Sequence, residues 1–167
     1  ELANKDNSKE NRRKYQIVRN ASISLLSNVN DILDFEKMEK KELVLKKEVF
    51  NPSLLLNQIS ENWKAEAQKK GLDYRFEMDS EIITKVEGDV DRLLQIINNV
   101  LSNAIKFTNS GEVIFKLKCV TQPNNFSKFI FQVSDTGVGM DKESLETVFD
   151  SFNQMRKNHK RQFGGIG

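Results

Sequence analysis

A row of amides lies in the segment that runs from Gln95 to Lys106. On a helix of 3.6 residues per turn, Gln95, Asn99, Asn103 and Lys106 are spaced by four, four and three residues, so they form one polar stripe. Asparagine is a poor helix former, and a solvated helix face more often carries lysine and glutamate. Amide oxygens are good neutral ligands for Mg²⁺, an ion usually shared with substrate phosphates, and a lysine one turn on could neutralise phosphate charge. Taken alone, the stripe is explained equally well as a solvated face with chance amides.

A second candidate site is the segment DTGVGM (135–140), which follows the predicted strand FIFQVS. Glycines at 137 and 139 would permit positive φ angles and a close approach of the backbone to a ligand. The carboxylate of Asp135 could accept a hydrogen bond from an amino group of that ligand. An ordinary turn after a strand would have the same composition, so this pattern alone is weak evidence.

The sequence that follows has the composition of a lid. Residues 141–148 predict a short helix with Asp141 near its cap, and FDSF then places Phe149 and Phe152 before the polar, basic run NQMRKNHKRQ. That run ends in the glycine cluster FGGIG. A polar segment between aromatic residues and glycines is typical of a loop that closes over a site.

Hydropathy patterning predicts the elements that must hold these segments. Apolar residues at spacings of three and four from Asn11 to Met38 predict a long amphipathic helix, which packs in a bundle or dimer or else on a globular core. After this helix, the pattern predicts a half-buried strand with Leu43, Leu45 and Val49, and then a helix from Pro52 to Gly71. It next predicts strands at 72–78 and around 83–86, followed by a helix over 90–108 capped by Asp89. A hairpin of 112–120 and 129–134 completes the order.

This order of elements predicts an α+β domain after a boundary near Lys41. We expect a sheet with antiparallel neighbours, helices on one face, and a wet or docked second face. On the helix over 90–108, the side opposite the amide stripe should face the sheet. Its apolar residues are Leu93, Ile97, Val100, Leu101 and Ala104.

Composition bounds the possible functions. The chain has 167 residues, 38% of them apolar, which suffices for one sizeable domain and an arm. The 26 basic and 24 acidic residues nearly cancel and form no basic stripe, so we expect no nucleic-acid partner. No apolar run approaches the roughly 20 residues that span a bilayer, and the N-terminus does not resemble a secretion signal. We therefore expect a cytoplasmic segment without membrane contact, which leaves open whether the parent protein is membrane-anchored.

Four motifs in order, NNVLSNAIKFT, DTGVGM, FDSF and GGIG, resemble the N, G1, F and G2 boxes of the ATP-binding domain of two-component sensor histidine kinases. That domain has the Bergerat fold, which it shares with gyrase-type ATPases. The stretch LLSNVNDILDFEKMEKKELVL resembles the second helix of the dimerisation and histidine-phosphotransfer domain and its junction with the kinase domain, especially in hybrid kinases. The resemblance implies a two-layer α/β sandwich over residues 42–167, preceded by part of the dimerisation domain over residues 1–41.

The resemblance also implies that the ligand is Mg-ATP. Asn103 would chelate the Mg²⁺ bound to the ATP phosphates, with Asn99 assisting and Lys106 meeting phosphate. Asp135 would accept a hydrogen bond from the adenine amino group. The other ATP-binding residues implied are Phe107, at a place often taken by tyrosine, Gly137 and Gly139 beside Asp135, Phe152, Gly165 and Gly167 near the phosphates, and Arg161 in the lid, for which a solvated charge is nearly as good an interpretation.

Position 99 favours phosphotransfer over hydrolysis. Gyrase-type and mismatch-repair ATPases carry a glutamate four residues before the chelating asparagine, as general base for water, whereas Asn99 cannot take a proton at neutral pH. A kinase that passes the γ-phosphoryl to a histidine, and from there to an aspartate of a response regulator, needs positioning and charge neutralisation instead. We therefore expect phosphotransfer to a protein side chain.

The chain departs from this family at both ends. Its only histidine, His159, precedes Lys160 and Arg161 in the lid and lacks the acidic residue and proline that follow the family's phosphoacceptor. We expect the acceptor helix to lie before Glu1 and the closing strands to lie after Gly167, so the fold should be C-terminally incomplete and autophosphorylation by this chain alone is not expected.

The expected partners are ATP, a second copy bound through the N-terminal helix, and a response regulator receiver domain. Two alternative functions stay open. One is a non-catalytic regulatory or dimerisation module with a degenerate nucleotide site, which the missing acceptor favours for this polypeptide. The other is a gyrase-type ATPase, which Asn99 disfavours.

Overall fold

A computed structural model describes residues 2–79, 84–121 and 127–148 of the chain. The elements in chain order are α1 (Leu2–Glu39), β1 (Glu48–Phe50), α2 (Pro52–Lys69), β2 (Asp73–Met78), β3 (Val86–Gly88), α3 (Val90–Phe107), β4 (Glu112–Thr121), β5 (Ser127–Asp135) and α4 (Lys142–Thr147). They fall into two compact units, of which one is Leu45–Glu146 and the other contains α1. In the described ranges, no helix combines the length and the apolar character needed to cross a bilayer.

Helix α1 exposes its apolar seam to solvent. It extends the predicted helix toward the N-terminus and runs over 38 residues. The seam residues Leu25, Val29 and Ile32 are 64%, 44% and 41% exposed. Burial of an apolar face supplies most of the stability of a helix in a protein, and the residues that the structure describes leave this seam uncovered.

The C-terminal end of α1 stops on a residue in the left-handed conformation. Lys41 has φ of 56°. Its N–H donates to the carbonyl of Met38 at 3.0 Å, and the N–H of Glu42 donates to the carbonyl of Lys37 at 2.8 Å. These two bonds form a Schellman motif, in which the left-handed position is usually glycine. A lysine there keeps the helix stop but adds backbone strain.

Helices α2 and α3 begin where the sequence predicts. Asn51 caps α2 by accepting bonds from the N–H groups of Ser53 and Leu54, with Pro52 in the first turn. Asp89 caps α3 by accepting a bond from the N–H of Arg92 at 3.0 Å. Both caps are local devices that satisfy N–H groups left without partners in the first turn of a helix.

The strands form two separate sheets. One is the antiparallel pair β1–β3, and the other has the order β2–β4–β5. The predicted hairpin is confirmed as β4–β5, with a register from Val113 opposite Asp135 to Thr121 opposite Ser127. The expectation of antiparallel neighbours is wrong for β2 and β4, which are parallel. Between β2 and β4 the chain passes through β3 and α3. A helical crossover of this kind carries the chain back to the end of the sheet where β2 began, so β4 runs in the same direction as β2.

The predicted burial of the first strand is also wrong. Leu45 and Val49 are 60% and 69% exposed, and the strand is limited to Glu48–Phe50, with Phe50 as its half-buried residue. The reason is the pairing: among the described residues, β1 pairs only with the three-residue strand β3, and such a short two-stranded sheet offers little surface on which to bury an apolar row.

The core lies between helices α2 and α3 and the inner face of the three-stranded sheet. Its buried residues are Leu56 and Ile59 of α2, Ile97 and Leu101 of α3, and Phe115 and Leu117 of β4. Phe76 of β2 stacks on Phe115 with ring centroids 5.1 Å apart. Val100 was expected to face the sheet, but it is 45% exposed. It lies about 100° of helix turn from Leu101, which puts it at the margin between core and polar stripe.

The outer face of the same sheet is charged, as expected for a wet face. Glu77 of β2 pairs with Lys116 of β4 at 2.6 Å, and Arg75 pairs with Glu112. The hydrogen bond and the charge of Lys116 lower the pKa of Glu77. Paired charges on exposed strand faces stabilise the sheet only modestly, but they distinguish this face from the apolar inner one.

Candidate functional site

Helix α3 presents the amide stripe on the side away from the core. Asn99 and Asn103 are exposed, and Gln95 and Lys106 are half-buried at its borders. In the part of the chain that the structure describes, no hydrogen bond engages the side chains of Asn99 and Asn103. Their amide oxygens and nitrogens are therefore open to a ligand that approaches this face.

Asn98 has a different role from its two neighbours in the motif. Its side-chain oxygen accepts a hydrogen bond from the indole N–H of Trp63 at 2.8 Å. The bond ties α3 to α2 on the side of the helix opposite to Asn103. Sequence reasoning left this residue unexplained, because its partner lies 35 positions away in the chain.

The C-terminal end of α3 is held by two contacts that sequence reasoning missed. The ammonium of Lys70 donates to the carbonyls of Ile105 and Lys106 at 2.7 and 2.8 Å. The buried hydroxyl of Thr108 donates to the carbonyl of Ala104 at 2.7 Å. A cation and a donor at the last carbonyls satisfy groups that a helix end leaves unpaired.

These contacts fix the turn that carries Lys106 and Phe107. The Lys106 ammonium lies 5.0 Å from the centroid of the Phe107 ring, within the range of a cation–π contact. Phe107 is 37% exposed, so the ring presents an apolar surface beside the polar stripe. The pair combines a positive charge and an aromatic surface at the end of α3.

A groove of about 440 Å³ lies beside the stripe, between α2 and α3. Of the stripe residues only Lys106 lines it, together with Trp63, Glu66, Lys69, Lys70, Ser102 and Ile105. The groove follows the seam between α2 and α3 and does not include Asn99 or Asn103. We therefore place the candidate site on the stripe and not in this groove.

Asp135, the last residue of β5, and the loop that follows it lie against the end of α3. Oδ1 of Asp135 accepts a bond from the N–H of Gly137 at 2.9 Å, while the residue itself is exposed. One carboxylate oxygen is thus used to shape the turn, and the carboxylate retains acceptor capacity on the other. A Cβ atom on Gly137 would lie 2.7 Å from the carbonyl oxygen of Phe107. Glycine at 137 is therefore what allows this loop and the last turn of α3 to meet.

Thr136 fastens this loop to the start of β4. Its hydroxyl accepts a bond from the N–H of Glu112 at 3.0 Å, and its own N–H donates to the carbonyl of Glu112 at 3.2 Å. Gly111, with φ of 104°, faces the same hydroxyl, and a Cβ atom there would overlap it. Sequence reasoning passed over this threonine because its partner in both bonds, Glu112, lies 24 positions back in the chain.

The structure brings together most of the described residues that the sequence singled out. The end of α3, with Lys106 and Phe107, lies against the loop of Asp135 and Gly137. Gly139 follows in the same loop with φ of 65°, a left-handed conformation that glycine adopts without strain. The remaining predictions, Phe152, Arg161, Gly165 and Gly167, and the histidine judged not to be an acceptor, His159, lie outside the described residues.

The donors at this site fit a magnesium ion that is carried by a phosphate ligand. The described residues contain no group of three or more histidine, cysteine, aspartate or glutamate side chains able to hold a metal. Mg²⁺ usually keeps several waters and takes few protein ligands when it binds together with phosphates. Amide oxygens of Asn99 and Asn103 suit that coordination, whereas a metal held by protein alone would need more ligands.

The chain is similar to known proteins along most of its length. Residues 88–167 match the family model described as histidine kinase-, DNA gyrase B-, and HSP90-like ATPase. The autoinducer 2 sensor kinase/phosphatase LuxQ of Vibrio vulnificus is 36% identical over 163 residues, which are 96% of this chain and 19% of that protein. The chain thus spans about a fifth of this relative.

Two solved structures are similar in fold as well as in sequence. Full-length ShkA in complex with AMPPNP has a TM-score of 0.67 and 30% identity, over 78% of this chain and 27% of that one. The histidine kinase ThkA in complex with the response regulator protein TrrA has a TM-score of 0.58 and 26% identity, over 81% of this chain and 38% of that one.

Proposed function

Because this chain carries the ATPase domain of the sensor histidine kinases, we propose that it binds Mg-ATP and positions the γ-phosphoryl for transfer to a histidine. In the parent protein that histidine belongs to the dimerisation domain, and the phosphoryl group then passes to an aspartate of a response regulator. The histidine kinase ThkA, a structural neighbour, was solved in complex with a response regulator.

The observation that carries the proposal is the meeting of an open amide stripe with a carboxylate loop. Asn99 and Asn103 face outward from α3, and the loop of Asp135 lies against the last turn of the same helix. A nucleotide has a polar base at one end and anionic phosphates at the other, so it requires a carboxylate acceptor and cationic or amide groups at two places on one surface. In this proposal the loop of Asp135 supplies the first and the stripe on α3 supplies the second.

We assign the nucleotide contacts accordingly. Asp135 accepts a hydrogen bond from the adenine amino group, with Gly137 and Gly139 shaping the wall beside it and Phe107 offering an aromatic surface. Lys106 meets phosphate. The proposed contacts outside the described residues are Phe152, Arg161, Gly165 and Gly167.

Asn103 would hold a magnesium ion on the phosphates, with Asn99 assisting. When bound, that ion neutralises phosphate charge and orients the transferred group. The two amides fix the position of the phosphate end along α3, because the helix backbone sets their separation. Neither can act as a general base for water, so the site favours transfer to a protein side chain over hydrolysis.

Helix α1 would provide the contact with a second copy. Its exposed seam, which includes Leu25, Val29 and Ile32, has the spacing of a helix that packs against helices. Burial of such a seam in a dimer would remove a large apolar surface from water. We propose that this homodimer contact belongs to the same function, because it would bring the dimerisation domains of two copies together.

Substitution of Asp135 by asparagine tests the adenine contact. The change keeps the shape but replaces a charged acceptor, and a hydrogen bond to a charged group contributes about 1.5–3 kcal/mol, so the affinity for Mg-ADP should fall by about ten- to a hundredfold. Isothermal titration calorimetry would measure it. Asp73→Asn is the matched control, because Asp73 is an exposed aspartate of β2 outside the proposed contacts. Equal affinities of Asp135→Asn and the control would remove the adenine assignment.

A labelling experiment on the parent protein tests the reaction. With ATP labelled at the γ position, the proposal expects label on a histidine. Binding of nucleotide without protein labelling would favour the non-catalytic module, and steady release of phosphate without labelling would favour a gyrase-type ATPase.

A further inference from the structure

The segment that joins α1 to β1 is fastened to the first turn of α3. This connector comprises residues 40–47. The backbone N–H of Lys46 donates to Oδ2 of Asp89 at 2.9 Å, and the ammonium of Lys46 pairs with Oδ2 of Asp91 at 2.8 Å. Oδ1 of Asp89 accepts the N–H of Arg92 at 3.0 Å. The two oxygens of one carboxylate thus hold the connector and the helix together.

The neighbouring contacts make this attachment stiff. Directly after the connector, β1 pairs with β3 from Glu48 opposite Gly88 to Phe50 opposite Val86, and β3 leads straight into the cap of α3. At its other end the connector begins at the left-handed stop of α1 at Lys41. A few residues therefore separate a helix end with backbone strain from the cap of the helix that carries Asn99 and Asn103.

We infer that Lys46 and Asp89 are positioning residues that couple the connector to the nucleotide-binding helix, so that displacement of the connector shifts α3 and bound nucleotide in turn restrains the connector. The inference rests on the proposed function. Helix α3 is a continuous rod from Val90 to Phe107, and Asn99 lies only about 15 Å along it from its cap. A shift at the cap therefore reaches the amide stripe without an intervening hinge.

The charge of Asp89 suits this role. The bonds from the N–H groups of Lys46 and Arg92 lower the pKa of Asp89, so the carboxylate is ionised at neutral pH. Hydrogen bonds to an ionised acceptor are shorter and stronger than those between neutral groups. By the reciprocity of coupled equilibria, whatever the connector does to nucleotide affinity, the nucleotide must do to the connector.

Asp89→Asn separates the two roles of this carboxylate. Asparagine caps helices as well as aspartate does, so α3 should keep its cap. An amide has a single acceptor oxygen, and its NH₂ group would face the N–H of Lys46, donor against donor. The matched control is Glu87→Gln, which removes a charge two residues earlier, where Glu87 makes an exposed ion pair with Lys47 at 3.6 Å.

The test measures amide hydrogen exchange of residues 42–46 by mass spectrometry, with and without saturating Mg-ADP, on the full chain. In the wild type and in Glu87→Gln, nucleotide should slow exchange about fivefold or more. In Asp89→Asn this response should disappear, and the affinity for Mg-ADP measured by calorimetry should fall by the same factor, roughly fivefold, because the detached connector no longer favours the nucleotide-bound state. Lys46→Pro, which removes the donor N–H and leaves Asp89 intact, should lose the response at residues 42–45 in the same way.

Two results would overturn the inference. One is a wild-type connector whose exchange is unchanged although calorimetry shows bound nucleotide; the other is an undiminished response in both Asp89→Asn and Lys46→Pro. Absence of binding heat in the wild type would instead overturn the proposed function, and this inference with it. The calorimetric and exchange measurements therefore tell the two failures apart.

Discussion

Helices α1 and α3 have the same kind of apolar periodicity but opposite surroundings. On α3 the apolar side is buried against the sheet, with Leu101 fully buried, whereas on α1 Leu25 of the seam is 64% exposed. Helix α3 is also anchored at both ends, by the bond from Lys46 to its cap residue Asp89 and by the bond from Lys70 to its last carbonyls. Periodicity reports that a helix has an apolar side, but not which surface covers it.

The difference separates two tasks. An anchored helix can hold Asn99 and Asn103 at fixed positions along a ligand, because its turns cannot slide relative to the sheet. A helix with an uncovered seam is suited to contact another copy or another domain, since its apolar surface gains most from association. The first property suits a ligand-binding site, and the second suits a helix that associates with another surface.

The largest expected effect distinguishes the two helices by stability. Leu101→Ala on α3 should lower the free energy of unfolding by about 3 kcal/mol, because it leaves a cavity in the core. Leu25→Ala on α1 should lower it by less than about 0.5 kcal/mol in dilute, monomeric protein. Urea unfolding at low protein concentration would measure both. A loss at Leu25 as large as that at Leu101 would mean that the α1 seam is packed within the monomer.

Gly137→Ala probes the contact between α3 and the loop of Asp135. The added methyl would meet the carbonyl of Phe107 and Oδ1 of Asp135, so we expect a loss of stability of about 2 kcal/mol and weaker Mg-ADP binding, because the loop must move away. Thermal unfolding and calorimetry would measure the two effects.

Gly139→Ala is the matched change in the same loop, where a Cβ atom would meet nothing within 4 Å. It should cost about 1 kcal/mol from backbone strain alone. If both variants bound Mg-ADP equally well, the close approach at Gly137 would not matter for the site.

A smaller effect is expected from Thr136→Val. The variant keeps the size of the side chain but removes the hydroxyl that accepts the N–H of Glu112, so stability should fall by about 1 kcal/mol. Chemical denaturation would measure it. Ser134→Ala serves as the control, because its side-chain contact with Gln132 is long, at 3.5 Å. Equal losses in the two variants would show that Thr136 does not anchor the loop.

The smallest effect is a dependence of stability on acid. Glu77 has its pKa lowered below its ordinary 4.5 by the bond from Lys116, and Asp89 has its pKa lowered below its ordinary 3.8 by the bonds from Lys46 and Arg92. The unfolded chain therefore binds protons first as the pH falls. The contribution of both groups is complete above about pH 5 and is lost as the pH falls through their folded values.

Thermal unfolding between pH 6 and pH 3 would show this decline. In Glu77→Gln the melting temperature should fall less between about pH 5 and pH 4 than in the wild type, because Glu77 has the higher ordinary pKa of the two groups. An unchanged slope in that variant would exclude Glu77 as a source.

Local signals were sufficient to predict several elements. The caps Asn51 and Asp89 are confirmed, as are the position of α3 and the β4–β5 hairpin. Each of these depends on residues within a few positions of each other, and the relevant hydrogen bonds are made inside the same turn or between neighbouring strands.

Contacts between distant residues could not be predicted in this way. The motif asparagines Asn98, Asn99 and Asn103 look alike in sequence, and the bond from the indole of Trp63, 35 positions away, is what gives Asn98 a structural role. Two further contacts join residues that are similarly far apart in the chain: Lys70 bonds to the last carbonyls of α3, and Thr136 bonds to Glu112 at the start of β4. The parallel pairing of β2 with β4 follows from the path of the whole chain rather than from either strand. The roles of Asn99, Asn103 and Asp135 toward a ligand stay predictions.

The bond between Trp63 and Asn98 has a practical consequence. Trp63 is the only tryptophan of the chain, so the whole indole fluorescence comes from one ring attached to α3 one residue before Asn99. Emission of indole depends on the polarity around the ring and on its hydrogen bond. Small displacements of α3 should therefore change the emission wavelength, which makes the native protein its own optical sensor of events on that helix.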